Sequence, residues 1–160
     1  ARPRARAATF WSRRTDMKLG NMPIDYTVQI DGQISITPLL GAEKSVVGGL
    51  GSVRGFKEYV ENADTSVVVR NELSITFNDI YSDKRKEILG MPKIFGAVDH
   101  GWFQNKELQG YRAGNLVGVA VGIKNISGYL SYSITFAKAL EGQELNKASS
   151  EIYCNFGVRI

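Results

Sequence analysis

Apolar and polar residues alternate almost without interruption over residues 26–38. Tyr26, Val28, Ile30, Ile34 and Ile36 share one face, and Thr27, Gln29, Asp31, Gln33, Ser35 and Thr37 share the other. A period of two marks a half-buried β-strand. Its length of about thirteen residues exceeds the roughly five or six of an average strand and suits one that crosses a bilayer at a tilt.

The same pattern returns along the chain. Residues 66–77 set Val67, Val69, Leu73, Ile75 and Phe77 against Arg70, Glu72, Ser74 and Thr76, with Asn71 the exception on the apolar face. Residues 93–102 are apolar on both faces, so hydrophobicity alone gives no parity there. Over residues 115–124, Val117, Val119, Val121 and Ile123 form one face while Gly118, Ala120 and Gly122 keep the other small. A turn at residues 125–128 leads into residues 129–140, where Leu130, Tyr132, Ile134 and Phe136 oppose Ser131, Ser133 and Thr135. Residues 151–160 alternate again, through Ile152, Cys154, Phe156, Val158 and Ile160.

Six long strands make an all-β chain. Short (125–128) and long (39–65, 103–114, 141–150) connections alternate, as periplasmic turns and extracellular loops do in outer-membrane barrels; the connection 78–92 is longer than that scheme wants. A soluble sandwich or barrel acting as a binding module would alternate in the same way and remains the alternative. Six strands cannot close a barrel, since the smallest single-chain ones have about eight, so the chain is expected to be a fragment that forms no monomeric barrel alone.

Composition adds little beyond exclusions. Seventeen glycines against four prolines fit a β-rich chain. The net charge of +4 is concentrated at the start, in Arg2, Arg4, Arg6, Arg13 and Arg14, and no aromatic and basic residues interleave as a nucleic-acid platform requires. Residues 1–25 are left as a basic, unassigned remnant. The chain opens Ala1-Arg2-Pro3-Arg4 without a methionine or an apolar leader, which is expected of a start removed by processing or truncation. His100 is the sole histidine and Cys154 the sole cysteine, the acids are scattered, and so neither a catalytic group nor a metal or cofactor is expected. The sequon Asn125-Ile126-Ser127 reads as turn chemistry.

The most distinctive run is Val46-Val47-Gly48-Gly49-Leu50-Gly51-Ser52-Val53-Arg54-Gly55-Phe56, in the longest connection. Its glycines permit left-handed or sharply bent backbone, and Arg54 is a planar fork of donors. It does not read as a phosphate loop: the third glycine is missing, and neither a strand leading in nor a helix following is expected.

Gly48 and Gly49 followed by Ser52-Val53-Arg54-Gly55-Phe56 resemble the loop motif of the two-partner secretion transporters, the haemolysin secretion/activation family of outer-membrane proteins. Arg70-Asn71-Glu72-Leu73, Phe95-Gly96-Ala97-Val98-Asp99-His100-Gly101 and Phe136-Ala137-Lys138-Ala139-Leu140 continue the likeness in the family's order, over about residues 26–160.

The resemblance implies an antiparallel transmembrane β-barrel portion, about the last six strands of a sixteen-stranded barrel in the outer membrane of a Gram-negative bacterium. Residues 39–65 would fold into the lumen. Asp99 would face that lumen, turning Ile94, Val98 and Trp102 to lipid, and Arg54 would meet Asp99 or, as the competing acid, Glu72. Arg70 and Gly101 would share the wall. A charge in a confined lumen is costly unless compensated, which gives the pairing its physical reason. The implied partners are a secreted exoprotein of haemolysin or adhesin type, outer-membrane lipid and, during biogenesis, the barrel-assembly machinery. A barrel-assembly factor or surface antigen of the same superfamily is the nearest alternative. Ile160 departs from the aromatic residue with which such barrels commonly end, an expected weakness in assembly.

Overall fold

The computed structural model describes residues 6–56, 61–77, 82–107, 110–125, 127–142 and 150–158. Its main sheet has seven strands, each antiparallel to the next: β1 (Arg6–Leu19), β2 (Met22–Ser35), β5 (Thr65–Thr76), β6 (Lys93–Glu107), β7 (Gly110–Asn125), β8 (Leu130–Glu141) and β9 (Ser150–Val158). Two short strands, β3 (Ser45–Val47) and β4 (Glu61–Ala63), pair as a separate ribbon, and a short helix, α1 (Asp83–Leu89), lies between β5 and β6. The first six strands of the sheet run 12 to 16 residues, beyond the roughly 9–11 that a tilted strand needs to cross a bilayer.

The period-two faces separate as the pattern requires. Val67, Leu73, Ile94, Val98, Val121, Phe136 and Ile152 are exposed on one side of the sheet. On the other side Phe95, Ala97, Asp99, Phe103, Leu116, Ala120, Ala137 and Ala139 are buried. The burial arises because the segment between β2 and β5 folds back over that second face. One cluster joins Val47, Val53, Phe56 and Ala63 of this segment to Val68, Phe103, Leu116 and Ala139 of the wall. An apolar core on the polar face of the strands is therefore made by the loop, while the apolar face stays bare.

Three expectations change. Residues 6–19, within the segment left unassigned, form β1, paired with β2 from Arg6↔Ser35 to Leu19↔Met22 around Gly20, whose φ is 61°. Arginines interrupt the apolar residues on both of its faces, so no period of two stands out; Arg14 instead pairs with Asp25 of β2 at 2.6 Å, and Asp25 also takes Lys93 of β6 at 2.5 Å. The connection 103–114 is not a long loop, because β6 and β7 stay paired as far as Glu107↔Gly110. Ladder hydrogen bonding outlasts the apolar alternation there. Finally, the connection 39–65 contains a 3-10 turn (Gly41–Glu43), β3 and β4.

The connection 78–92 is long because part of it is α1, whose end is pinned to the neighbouring turn. Asn125, almost fully buried, donates from Nδ2 to the carbonyls of Leu89 (2.5 Å), Ser127 (2.7 Å) and Leu130 (2.8 Å), while the Tyr129 N–H donates to the carbonyl of Glu87 at 3.2 Å. Asn125 thus acts as the turn residue that its sequence suggested. Residues 159–160, including Ile160, lie outside the described residues.

Candidate functional site

The loop is held at its root before its tip is placed. Asp64, fully buried between β4 and β5, accepts the Leu39 N–H at 2.8 Å on Oδ1 and the Lys106 N–H at 2.8 Å on Oδ2. The Lys44 ammonium stands 3.5 Å from Oδ1, and Asn105 Oδ1 accepts the Asp64 N–H at 3.1 Å. Gln33 Nε2 donates to the carbonyl of Glu43 at 3.1 Å. Burial pushes the Asp64 carboxyl up, but the two N–H donors and Lys44 outweigh it and hold the group below the ordinary carboxylate range.

Beyond β3 the chain bends at Gly48 and Gly49, whose φ values of 114° and 89° suit glycine alone. Ser52 closes the bend: its N–H donates to the Gly49 carbonyl at 3.1 Å and its Oγ accepts the Gly48 N–H at 3.2 Å. Val53 then turns into the apolar cluster and Arg54 turns toward β6. The loop glycines are what allow an apolar and a charged neighbour to be buried side by side.

Arg54 meets both expected acids. Nε donates to Asp99 Oδ2 at 2.6 Å, NH2 to Asp99 Oδ1 at 2.8 Å, and the Arg54 backbone N–H also donates to Oδ2 at 3.1 Å. NH1 donates to Glu72 Oε2 at 3.0 Å. The other oxygen of Glu72 accepts the Lys124 ammonium. Burial would lower the Arg54 pKa, but Asp99 and then Glu72 raise it above its ordinary value, so the group is a permanent cation. The Phe95 ring lies beneath, its centroid 5.8 Å from the guanidinium and 5.0 Å from the Lys124 nitrogen.

The remaining expected wall residues also touch the loop. Arg70 donates from NH1 and NH2 to the carbonyls of Gly51 (3.3 Å) and Leu50 (3.2 Å), with its Nε 3.8 Å from Asp99. Gly101 leaves room for Val47 and Val53, which a Cβ there would approach to 2.7 Å. Phe56 packs at the far end of the tip near Leu116 and Gly142. Arg54, Arg70, Glu72 and Lys124 line a cleft of about 290 Å³ with Thr27 and Gln29. The parity inferred for β6 holds: Asp99 is fully buried while Ile94 and Val98 are exposed on the opposite face.

Sequence reasoning did not single out Lys124, Phe95, Tyr153 or the Asp64 root. Lys124 carried a signal, as the cation that ends the small face of residues 115–124. Tyr153, which accepts the Gly55 N–H at 3.3 Å, lies on the face of β9 opposite the apolar row of Ile152, Cys154 and Phe156, so alternation does not mark it. Asp64 carried none, because its partners Leu39, Lys44 and Lys106 lie tens of residues from it along the chain.

A family model described as haemolysin secretion/activation protein ShlB/FhaC/HecB matches residues 5–125, which include the loop, Glu72, Asp99 and Lys124. The chain is 33% identical over 112 residues to the outer membrane transporter CdiB of Dickeya dadantii (strain 3937), covering 70% of this chain and 19% of that protein. It is 34% identical over 97 residues to the outer membrane transporter CdiB of Escherichia coli O6:K15:H31 (strain 536 / UPEC), covering 61% of this chain and 16% of that one. The chain thus spans less than a fifth of the curated relatives it matches. In fold it is similar to the solved CdiB from Acinetobacter baumannii, with a TM-score of 0.69 and 22% identity over 94% of this chain and 27% of the other.

Proposed function

The chain belongs to the haemolysin secretion/activation protein ShlB/FhaC/HecB family, and on that premise we propose that it is the loop-bearing part of an outer-membrane barrel that secretes a large exoprotein by two-partner secretion. The observation that carries this reading is the loop itself. A ribbon and its glycine-rich tip cover one face of the sheet and bring Arg54 to Asp99 and Glu72, while the opposite face exposes large apolar side chains from successive strands, among them Leu73, Val98, Val121, Phe136 and Ile152. Strands apolar on the lipid side and polar toward an interior are the arrangement of a spanning barrel.

In this reading the exoprotein, of haemolysin or adhesin type, passes through the lumen as an unfolded chain, and the loop sets the state of that passage. The protein performs no chemistry and uses no cofactor or nucleotide; folding of the cargo outside supplies the direction. Its other partners are outer-membrane lipid, along the apolar face, and the barrel-assembly machinery during biogenesis.

Arg54→Ala in the full-length transporter, expressed with its exoprotein, tests the reading. Removing one member of a buried ion pair costs roughly 3–5 kcal/mol, enough to release the loop tip. Secretion is expected to fall about tenfold or more on that basis, with the barrel present at normal levels and still heat-modifiable. Unchanged secretion with normal barrel levels would refute a role for the Arg54 anchor.

A further inference from the structure

We propose that Gly118 of β7 is a positioning residue for the loop: the absence of a side chain there leaves a seat in the wall for the Arg54 main chain. The loop is then placed by shape as well as by charge. The seat is geometric, and only its consequence for secretion rests on the transport reading above.

A Cβ at Gly118 would lie 1.9 Å from the carbonyl oxygen of Arg54, 3.1 Å from its carbonyl carbon and 3.4 Å from Val53 Cγ1. The nearest obstacle is backbone, which cannot rotate aside as the end of a long side chain can. The fit is reciprocal. A Cβ at Gly55 of the loop would stand 2.6 Å from both the Ala139 nitrogen and the Lys138 carbonyl carbon of β8. Loop and wall therefore meet backbone to backbone at β7 and β8, with a glycine on each side of the contact.

The position of the seat ties it to the ion pair. Gly118 is the register partner of Asp99 on β6 and of Ala139 on β8. The pairing of β7 with β8 shifts between Val117 and Gly118, an irregularity that bends a strand locally. Asp99 bonds the Arg54 side chain and its backbone N–H together. That double contact needs the main chain within one wall position of the carboxylate, which a side chain at Gly118 would prevent. Gly118 has no positive φ, unlike Gly55 at 93°, so substitution there changes space without straining the backbone.

The test uses the full-length transporter in lipid vesicles. Cys154→Ser removes the only cysteine of this chain, and Val53→Cys puts a reporter thiol in the fully buried cluster under the tip. Gly96→Val is the control, because a Cβ at Gly96 meets nothing within 4 Å. Overpacking at Gly118 forces a backbone shift. Gly118→Val should therefore raise labelling of the reporter by a membrane-impermeant maleimide on the order of tenfold, and raise single-channel conductance, in a barrel that stays heat-modifiable with Arg54 and Asp99 intact.

Labelling and conductance equal to those of Gly96→Val would overturn the proposal. Where Gly118→Val does not assemble, Gly118→Ala replaces it: raised labelling and conductance support the seat, and values equal to the control overturn it. A displaced loop with normal secretion would leave the seat standing and sink the transport role of the loop. Lost secretion with a protected reporter would do the reverse.

Discussion

The five donors of the Arg54 guanidinium are unequally committed. Two, with the backbone N–H, go to Asp99, whose side chain is fully buried; one goes to Glu72, which is 20% exposed and shared with Lys124. The burial difference decides which acid matters more. A buried carboxylate that loses its partner has no water to replace it, at a cost of roughly 3–5 kcal/mol, whereas exposed pairs contribute about 0–1 kcal/mol. Double-mutant cycles on unfolding of the full-length protein, pairing Arg54→Ala with Asp99→Asn or with Glu72→Gln, should give the larger coupling energy for Asp99 by about 2 kcal/mol. A larger coupling for Glu72 would reverse the assignment. Either acid was a candidate partner from the sequence. The choice between them needed the distance and burial of each, quantities that no spacing along the chain encodes.

At the level of elements, the loop is tethered twice. Its tip is held by Arg54 and its root by Asp64, where Leu39, Lys44 and Lys106 converge on one carboxylate. Because Asp64 titrates below the ordinary carboxylate value of about 3.9, its contribution to stability is present above that value and is lost as pH falls through the lowered folded-state pKa. Thermal unfolding of the full-length protein, wild type against Asp64→Asn, should show a gap in midpoint that is constant from neutral pH down to about pH 4 and then shrinks. A gap that persists undiminished into stronger acid would exclude the root carboxylate as its source. β2 and β5 were legible because their outer faces obey a period of two. β1 was not, since Arg13 and Arg14 break both of its faces, and Arg14 divides its donors between Asp16 of the same strand and Asp25 of β2. The ribbon β3–β4 was hidden for another reason: three-residue strands are too short to show a period.

For the molecule as a whole, the apolar surface and the edges of the sheet act together. The outer edges of β1 and β9 carry no partner strand among the described residues, and open ladder edges do not persist in hydrocarbon. Expressed alone in detergent, this chain should therefore give no heat-modifiable monomeric band; a folded monomer migrating faster than its boiled form would contradict that. The apolar outer face, with Val98, Val121 and Phe136 bare, suits lipid, while the inner face is already occupied by the loop. Covering one face of the sheet with its own connection lets polar strands bury an apolar core on that side, through Val47, Val53 and Phe56.

By itself the sequence determined the strand periodicity, the apolar face of the strands and the residues of the loop motif, since each depends on the order of residue types over short distances. Alternation assigns a face only where one side is apolar, so the parity of β6 and the role of Asp99 came from likeness to a family rather than from pattern. Tertiary structure alone decided that Arg54 engages two acids at once, that Lys124 and Phe95 complete its surroundings, that Asp64 secures the loop root, and that Gly118 faces the Arg54 main chain. These are contacts between segments tens of residues apart, fixed by strand register and by the path of a folded loop. A side chain's partner across a sheet depends on where two backbones come to lie, and that is a property of the whole fold.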